Sequence, residues 1–265
     1  MRTTDSHKLR ESRRRVSVLG CPIDALSMTE TVERCGELID AGEASQQVSI
    51  NAAKLILLRR DARLRRIVQD CALISADGQP VVWASRLLGN PLPERVAGID
   101  LMFALLSRAE RRGDRVYVLG ARADVLAVAM SRLVRRYPGV DFCGWHHGYF
   151  TDAESPAIAQ EIARQSPDLL LVAMTSPRKE YWLAEHGRDL GVPLMLGVGG
   201  SIDVVAGVTK RAPVWMQRVG LEWFFRVAQE PRRLGRRYAV TNSQFIGLVA
   251  GELVRSRLTG RRRGR

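Results

Sequence analysis

QVSINAAKLILLRRDARLRRIVQDCALISADGQPVVW, residues 47–83, is the stretch whose pattern decides the fold. It opens on a short β-prone run at 47–50 and passes through an amphipathic helical pattern at 52–70. A second short apolar run follows at 72–75, then a turn at Ala76-Asp77-Gly78 and a new helical pattern at 80–88. Two short strands separated by a helix are the signature of a parallel pair, because parallel neighbours need a long crossover.

The same alternation extends outward in both directions. Strands are expected at 16–19, 115–119, 140–145, 169–173 and 193–198, and helices at 28–39, 101–112, 123–137, 156–165 and 180–190. Residues 89–98 (GNPLPERVAG) read as an irregular crossing between two halves of the sheet. The expected fold class is α/β, a Rossmann-like, mostly parallel sheet flanked by helices. After Pro213 the alternation stops. A short helix is expected at 221–229, with Glu222 and Arg226 paired at i,i+4 and Pro231 ending it. A second amphipathic run follows at 241–254. Its apolar centre, FIGLVAG, is too short to span a bilayer but long enough to lie in an interface. The chain thus divides into a basic tail (1–15) expected to be disordered, a catalytic α/β domain (16–208), and a helical basic appendage (209–265) ending in a disordered GRRRGR.

The charge is concentrated at the ends. Of the net +13, residues 1–15 carry +4 and residues 209–265 carry +11, leaving the body at −2. A near-neutral body with basic ends describes an enzyme-like domain with an electrostatic attachment rather than a uniformly basic nucleic-acid binder. Only four of the 41 basic residues are lysine, so an arginine-rich coding bias and plainly solvated tails also fit this pattern. Residues 209–238 interleave Trp215, Trp223, Phe224, Phe225 and Tyr238 with seven arginines, a composition suited to polyphosphate, a membrane surface, or both. Cys21, Cys35, Cys71 and Cys143 are too scattered for a zinc site or a disulfide framework, and read as small buried hydrophobes. The first fifteen residues lack the apolar core of a signal peptide, and no run approaches the eighteen apolar residues of a membrane span. The expected location is cytoplasmic, with peripheral membrane contact.

Ligands of open α/β sheets bind beyond the carboxyl ends of the strands. Those ends carry Ser49 and Asn51, Asp77 and Gly78, Gly120, residues 146–149, residues 175–180, and residues 199–203. Asp77 stands out, because a strand running into a tight turn aims one carboxylate at the crevice. Capping the helix that follows is an equally ordinary role for it. Gly199 and Gly200 can bring backbone amides close to a phosphate. No GxGxxG, no GxxxxGK[ST] and no Asp-x-Asp occurs, which argues against a dinucleotide fingerprint, a P-loop and a metal-bridged nucleotide sugar. No metal and no cofactor is therefore expected. His146 and His147 are adjacent and would point to opposite faces of a strand, so one serves as a hydrogen-bonding group rather than both as ligands of one ion. Residue chemistry leaves several classes open: an enzyme acting at the strand ends, a nucleic-acid-binding protein whose arginine tails grip phosphate, a nucleotide-dependent Rossmann enzyme, and a non-catalytic assembly scaffold.

Taken in order, SINAAK (49–54), ADGQPVVW (76–83), ERVAGID (94–100), GWHHGYF (144–150), PRKEYW (177–182), GVGGSID (197–203) and the arginine- and tryptophan-rich run at 211–238 resemble the WecG/TagA/CpsF glycosyltransferases over about 16–238. The resemblance implies an inverting, metal-independent transferase. It would move a hexose from a UDP-sugar to a polyprenyl-diphosphate-linked saccharide at the inner face of the cell membrane. It places the family's proposed catalytic aspartate on Asp77 and puts Ser49 where the family usually has threonine. The family's C-terminal arginines fall on Arg226, Arg233 and Arg236, with Arg237 adjacent. Substrate contacts are expected at Asn51, Arg95, His147, Pro177, Lys179, Glu180, Gly199, Gly200 and Asp203. The family's usual Gly-x-Pro-x-Gln-Glu appears here as Thr175-Ser176-Pro177-Arg178-Lys179-Glu180, placing a cation where an amide is usual. Glucose, an acidic sugar and other hexoses all remain open as the transferred group. No nucleic-acid partner is expected under this reading, and a homo-oligomer docked through the appendage is left open.

Overall fold

Eight strands and twelve helices are seen in a computed structural model that describes residues 14–262, apart from 219 and 230 and the side chains at 218, 226, 233, 234, 236, 237, 257 and 259–262. Six strands make one sheet in the order β4-β3-β8-β7-β5-β6. They are β3 (Ser45–Ile50), β4 (Leu73–Ala76), β5 (Arg115–Gly120), β6 (Asp141–His146), β7 (Leu169–Ala173) and β8 (Leu194–Gly197), and every pairing is parallel. Central β7, LLLVA, is buried throughout, as a parallel strand covered on both faces must be. Its side chains alternate between two cores. Leu169 and Leu171 pack with α1 (Met28–Ala41), α5 (Gly98–Arg112) and α6 (Ala123–Arg136). Leu170 and Val172 pack with α7 (Ser155–Gln165) and α8 (Arg178–His186).

The expected strand at 16–19 is not part of this sheet. It belongs to a separate antiparallel hairpin, β1 (Arg15–Val18) with β2 (Cys21–Asp24). Leu19 and Gly20 make its two-residue turn, both at positive φ (53° and 83°), which suits the twist of a tight hairpin. Asp24 accepts the Ile74 amide at 2.7 Å, and Arg15 donates to the Cys71 carbonyl at 3.0 Å. The hairpin thereby covers the free edge of β4.

Two helical boundaries also differ from expectation. The single helix expected at 52–70 is two, α2 (Ala52–Arg60) and α3 (Ala62–Asp70). Asp61 ends the first and caps the second, its carboxylate accepting the Leu64 amide at 2.9 Å. The helix expected at 221–229 does end before Pro231, at Gln229, and Pro231 also begins another. After α9 (Ser201–Val205), α10 (Val214–Arg218) and α11 (Glu222–Gln229), the chain runs as one 32-residue helix, α12 (Pro231–Arg262). Proline lacks only an amide that the first helical turn leaves unbonded in any case. This helix absorbs the run expected at 241–254 and extends into the segment expected to be disordered. Phe245 and Val249 anchor it in the core formed with α2, α3 and α4 (Gln79–Leu87). Cys21, Cys35 and Cys71 are free and buried, and burial pushes each thiol up to about 12.

Candidate functional site

The carboxyl ends of four adjacent strands (β4, β3, β8 and β7) line one stretch of the sheet edge, the position of the ligand crevice in open α/β sheets. Gly98, the first residue of α5, lies at its base. A Cβ there would stand 3.7 Å from Asp77 Oδ2, 3.7 Å from Ser49 Oγ and 3.9 Å from the Gly197 carbonyl. The carboxylate and hydroxyl singled out from sequence therefore converge. The amino end of the fifteen-residue α5 faces them with its partial positive charge. The helix after Asp77 takes Gly78 as its N-cap, with no side-chain cap bond, and Gly78 adopts φ 155°. Its absent side chain leaves room beside Asn51, whose Cβ would lie 3.6 Å from a Cβ on Gly78.

Beneath the crevice lies a polar cluster that sequence reading only half found. Lys54 and Glu180 form a buried ion pair at 2.6 Å, and Ser176 donates to the same carboxylate oxygen at 2.7 Å. Burial alone would raise the Glu180 carboxyl. The charges of Lys54 and Lys179, with the hydrogen bonds from Lys54 and Ser176, outweigh it and hold the group below its usual range. Gln47 donates to Ser75 at 3.1 Å and to Ser49 at 3.3 Å, fixing the Ser49 hydroxyl from below. Lys179 lies across Gly197, where a Cβ would meet its Nζ at 2.9 Å. Burial drives the Lys179 ammonium down to about 8 and Lys54 adds to that, while Glu180 and Asp77 pull it back up. Lys54, Gln47, Ser75 and Gly98 were not singled out from sequence. Lys54 had a visible signal as one of only four lysines, placed on the apolar side of a helix.

The other candidates distribute as follows. Asn51 accepts the Lys54 amide at 2.9 Å as the N-cap of α2, so its carbonyl oxygen is engaged in the fold. Pro177 caps α8. Gly199, at φ 52°, and Gly200, the N-cap of α9, form the turn after β8. The Asp203 carbonyl accepts the Val208 and Thr209 amides, steering the chain toward the appendage. His147 is not among this group. It follows β6, two strands beyond β7, and its Nδ1 accepts the Tyr149 amide at 3.3 Å. Arg95 points to the appendage, pairing with Glu222 at 2.7 Å. Arg211 pairs with Asp100 at 2.6 Å, and the Gly220 backbone packs on Gln79 and Trp83. The appendage is thus fastened beside Asp77. Arg226, Arg233, Arg236 and Arg237 belong to α11 and α12, but their side chains lie outside the described residues.

Among the described residues no three His, Cys, Asp or Glu side chains gather as a metal site, and no helix is long and apolar enough to cross a membrane. A cavity of ≈ 270 Å³ opens elsewhere, between the β1–β2 turn, α2 and α3. It is lined by Leu19, Cys21, Leu55, Arg59 and Val68 and shares no residue with the crevice.

Residues 16–259 match the family described as the glycosyl transferase WecG/TagA/CpsF family. The chain belongs to that family. It is a glycosyltransferase by this membership. A Staphylococcus aureus (strain MW2) member named N-acetylglucosaminyldiphosphoundecaprenol N-acetyl-beta-D-mannosaminyltransferase is 33% identical over 231 residues, covering 86% of this chain and 89% of the relative. A Bacillus spizizenii member of the same name is 34% identical over 181 residues, 68% of this chain and 70% of the relative.

Proposed function

We propose that the protein transfers a hexose from a UDP-sugar to a polyprenyl-diphosphate-linked saccharide, with inversion and without a metal, at the inner face of the cell membrane. The observation that carries this is the convergence of Asp77 Oδ2, Ser49 Oγ and the Gly197 carbonyl on Gly98, in a member of a glycosyltransferase family. Asp77 is the general base. It takes the proton of the acceptor hydroxyl as that oxygen attacks C1 of the sugar. The bond from C1 to the diphosphate oxygen breaks, and its electron pair leaves with UDP. Ser49, held by Gln47, and Asn51 orient the sugar. The departing diphosphate needs fixed positive charge or aimed amides. We assign that part to Arg226, Arg233, Arg236 and Arg237, with the turn at Gly199 and Gly200.

The appendage from 209 onward serves both the site and the membrane. Val214, Trp215 (62% exposed) and Phe224 (53% exposed) show apolar surface on its first two helices, in a segment rich in arginine. Such a face suits a peripheral position in the headgroup region. The transfer reaction is tested with purified full-length protein, a UDP-sugar panel and a short-chain prenyl-diphosphate saccharide, following UDP release. Release should require the acceptor, and Asp77→Asn should slow it by about 10²–10⁴-fold, the range ascribed to a general base. Near-normal turnover in that variant would remove Asp77 from the chemistry.

A further inference from the structure

The cavity of ≈ 270 Å³ between the β1–β2 turn, α2 and α3 has walls and a rim of opposite character. Its walls are apolar. Cys21, Leu55, Leu58 and Val68 are all buried, and burial keeps the Cys21 thiol protonated by pushing it up to about 12. The polar lining residues, Arg59, Arg65 and Gln69, are exposed, and neither arginine forms an ion pair with a described residue. Both belong to the run RRDARLRR (59–66), which holds five arginines and one aspartate inside a body of net charge −2. Other members of that run are already engaged. Asp61 accepts the Leu64 amide and the Tyr181 hydroxyl, Arg60 donates to Gln244 of α12 at 3.1 Å, and Arg63 lies 4.7 Å over the Tyr181 ring. Arg59 and Arg65 are left to place their charge at the mouth of an apolar cavity.

We propose that this cavity binds a single-chain aliphatic phosphate, its chain against Leu55, Leu58 and Val68 and its phosphate held by Arg59 and Arg65. Small-molecule sites have this make-up, mostly apolar with a few polar groups that fix orientation. An apolar floor offers water no hydrogen-bond partners, whereas each methylene placed there leaves water at a gain. The rim selects the head. Guanidinium forks match phosphate oxygens, and two of them balance the nearly double charge of a phosphate monoester better than the single charge of a carboxylate. Size selects the chain. At about 30 Å³ for each water-sized group, 270 Å³ takes about nine, so one chain of about eight to ten carbons fills the space and a second finds no room. The cavity also lies beside the appendage, since Phe245 and Val249 of α12 share one core with Leu55, Leu58 and Val68. A ligand of this class is at hand wherever that appendage meets lipid. The cavity shares no residue with the crevice, so the inference does not depend on the chemistry assigned to Asp77.

Calorimetric titration of the full-length protein tests this with hexyl, octyl and decyl phosphate, geranyl phosphate, decanoate and inorganic phosphate, each below its critical micelle concentration. From hexyl to decyl phosphate the affinity should rise about three- to four-fold per methylene, the worth of burying one CH2. The double variant Arg59→Gln/Arg65→Gln should bind decyl phosphate about ten-fold more weakly and keep the same dependence on chain length. Val68→Phe, which fills the floor, should flatten that dependence. The double variant changes exposed residues only, so it keeps the test readable if Val68→Phe does not fold. Geranyl phosphate above decyl phosphate supports the site and marks its ligand as a branched prenyl chain; the reverse order supports it with a straight chain. Affinity independent of chain length overturns the assignment. So does inorganic phosphate or decanoate binding as tightly as decyl phosphate, or full affinity in the double variant. Failure of every amphiphile to bind overturns it as well and leaves the transfer reaction proposed above untouched.

Discussion

The carboxyl edge of one sheet is built in two different ways. At β4, β3, β8 and β7 it is charged and open, with Asp77, Ser49 and Lys179 set around Gly98 and Gly197. At β5 and β6 it is closed by backbone. A Cβ on Gly120 would lie 2.4 Å from the Ala173 backbone, and a Cβ on Gly148 would lie 2.9 Å from the Gly120 Cα. Arg178 then pins this half by donating to the Gly148 carbonyl at 2.9 Å and to the Phe150 carbonyl. Strand-end position alone therefore does not make a site. One half gathers ionisable and hydroxyl side chains around two glycines, and the other is filled by backbone contacts and the Arg178 donations. The appendage docks on the first half, through Arg95–Glu222, Arg211–Asp100 and the contact of Gly220 with Gln79 and Trp83.

Three substitutions would break or sharpen this contrast. Glu180→Ala strands two buried lysines under the open half. It should destabilise the fold by about 3–5 kcal/mol and weaken donor binding together, read by denaturant unfolding and calorimetry. Gly120→Ala acts on the closed half. Its φ of 132° and the Ala173 backbone leave no room for a methyl, so a loss of about 2–4 kcal/mol is expected. Donor affinity in the folded fraction should be unchanged. If it collapses, the two halves are one site. Glu222→Gln neutralises the largely buried partner of Arg95 and should cost about 1.5–3 kcal/mol in global stability. Proteolytic cleavage within 209–262 should also become faster. An unchanged cleavage rate would mean that the ion pair does not hold the appendage down.

Much of this was legible in the chain. The period at 47–83 specified strand, helix, strand and helix because burial on one or both faces dictates those repeats. Asp77 and Ser49 stood out as candidates because ligands of open α/β sheets bind beyond the strand ends, and the structure sets both beside Gly98. Three things were not legible. The β1–β2 hairpin looks like a sheet strand, since its apolar alternation is the same, and it takes the contacts of Asp24 with the Ile74 amide and of Arg15 with the Cys71 carbonyl to show that it caps an edge. The break at Asp61 is hidden because Asp also occurs inside helices. His147 looked equivalent to the other strand-end residues, because strand order is absent from a linear pattern.

Local sequence determined the elements, the parallel α/β class and the residues able to do acid–base chemistry, since periodicity and side-chain type are carried residue by residue. Tertiary structure decided which of them meet. Lys54 and Glu180 are far apart in the chain yet 2.6 Å apart in space, and Asp77 shares a crevice with Lys179 only because β4, β3, β8 and β7 are neighbours. Long-range pairing depends on which packing buries the most apolar surface while satisfying the charges beneath it. That is a property of the whole chain and of no single stretch of it.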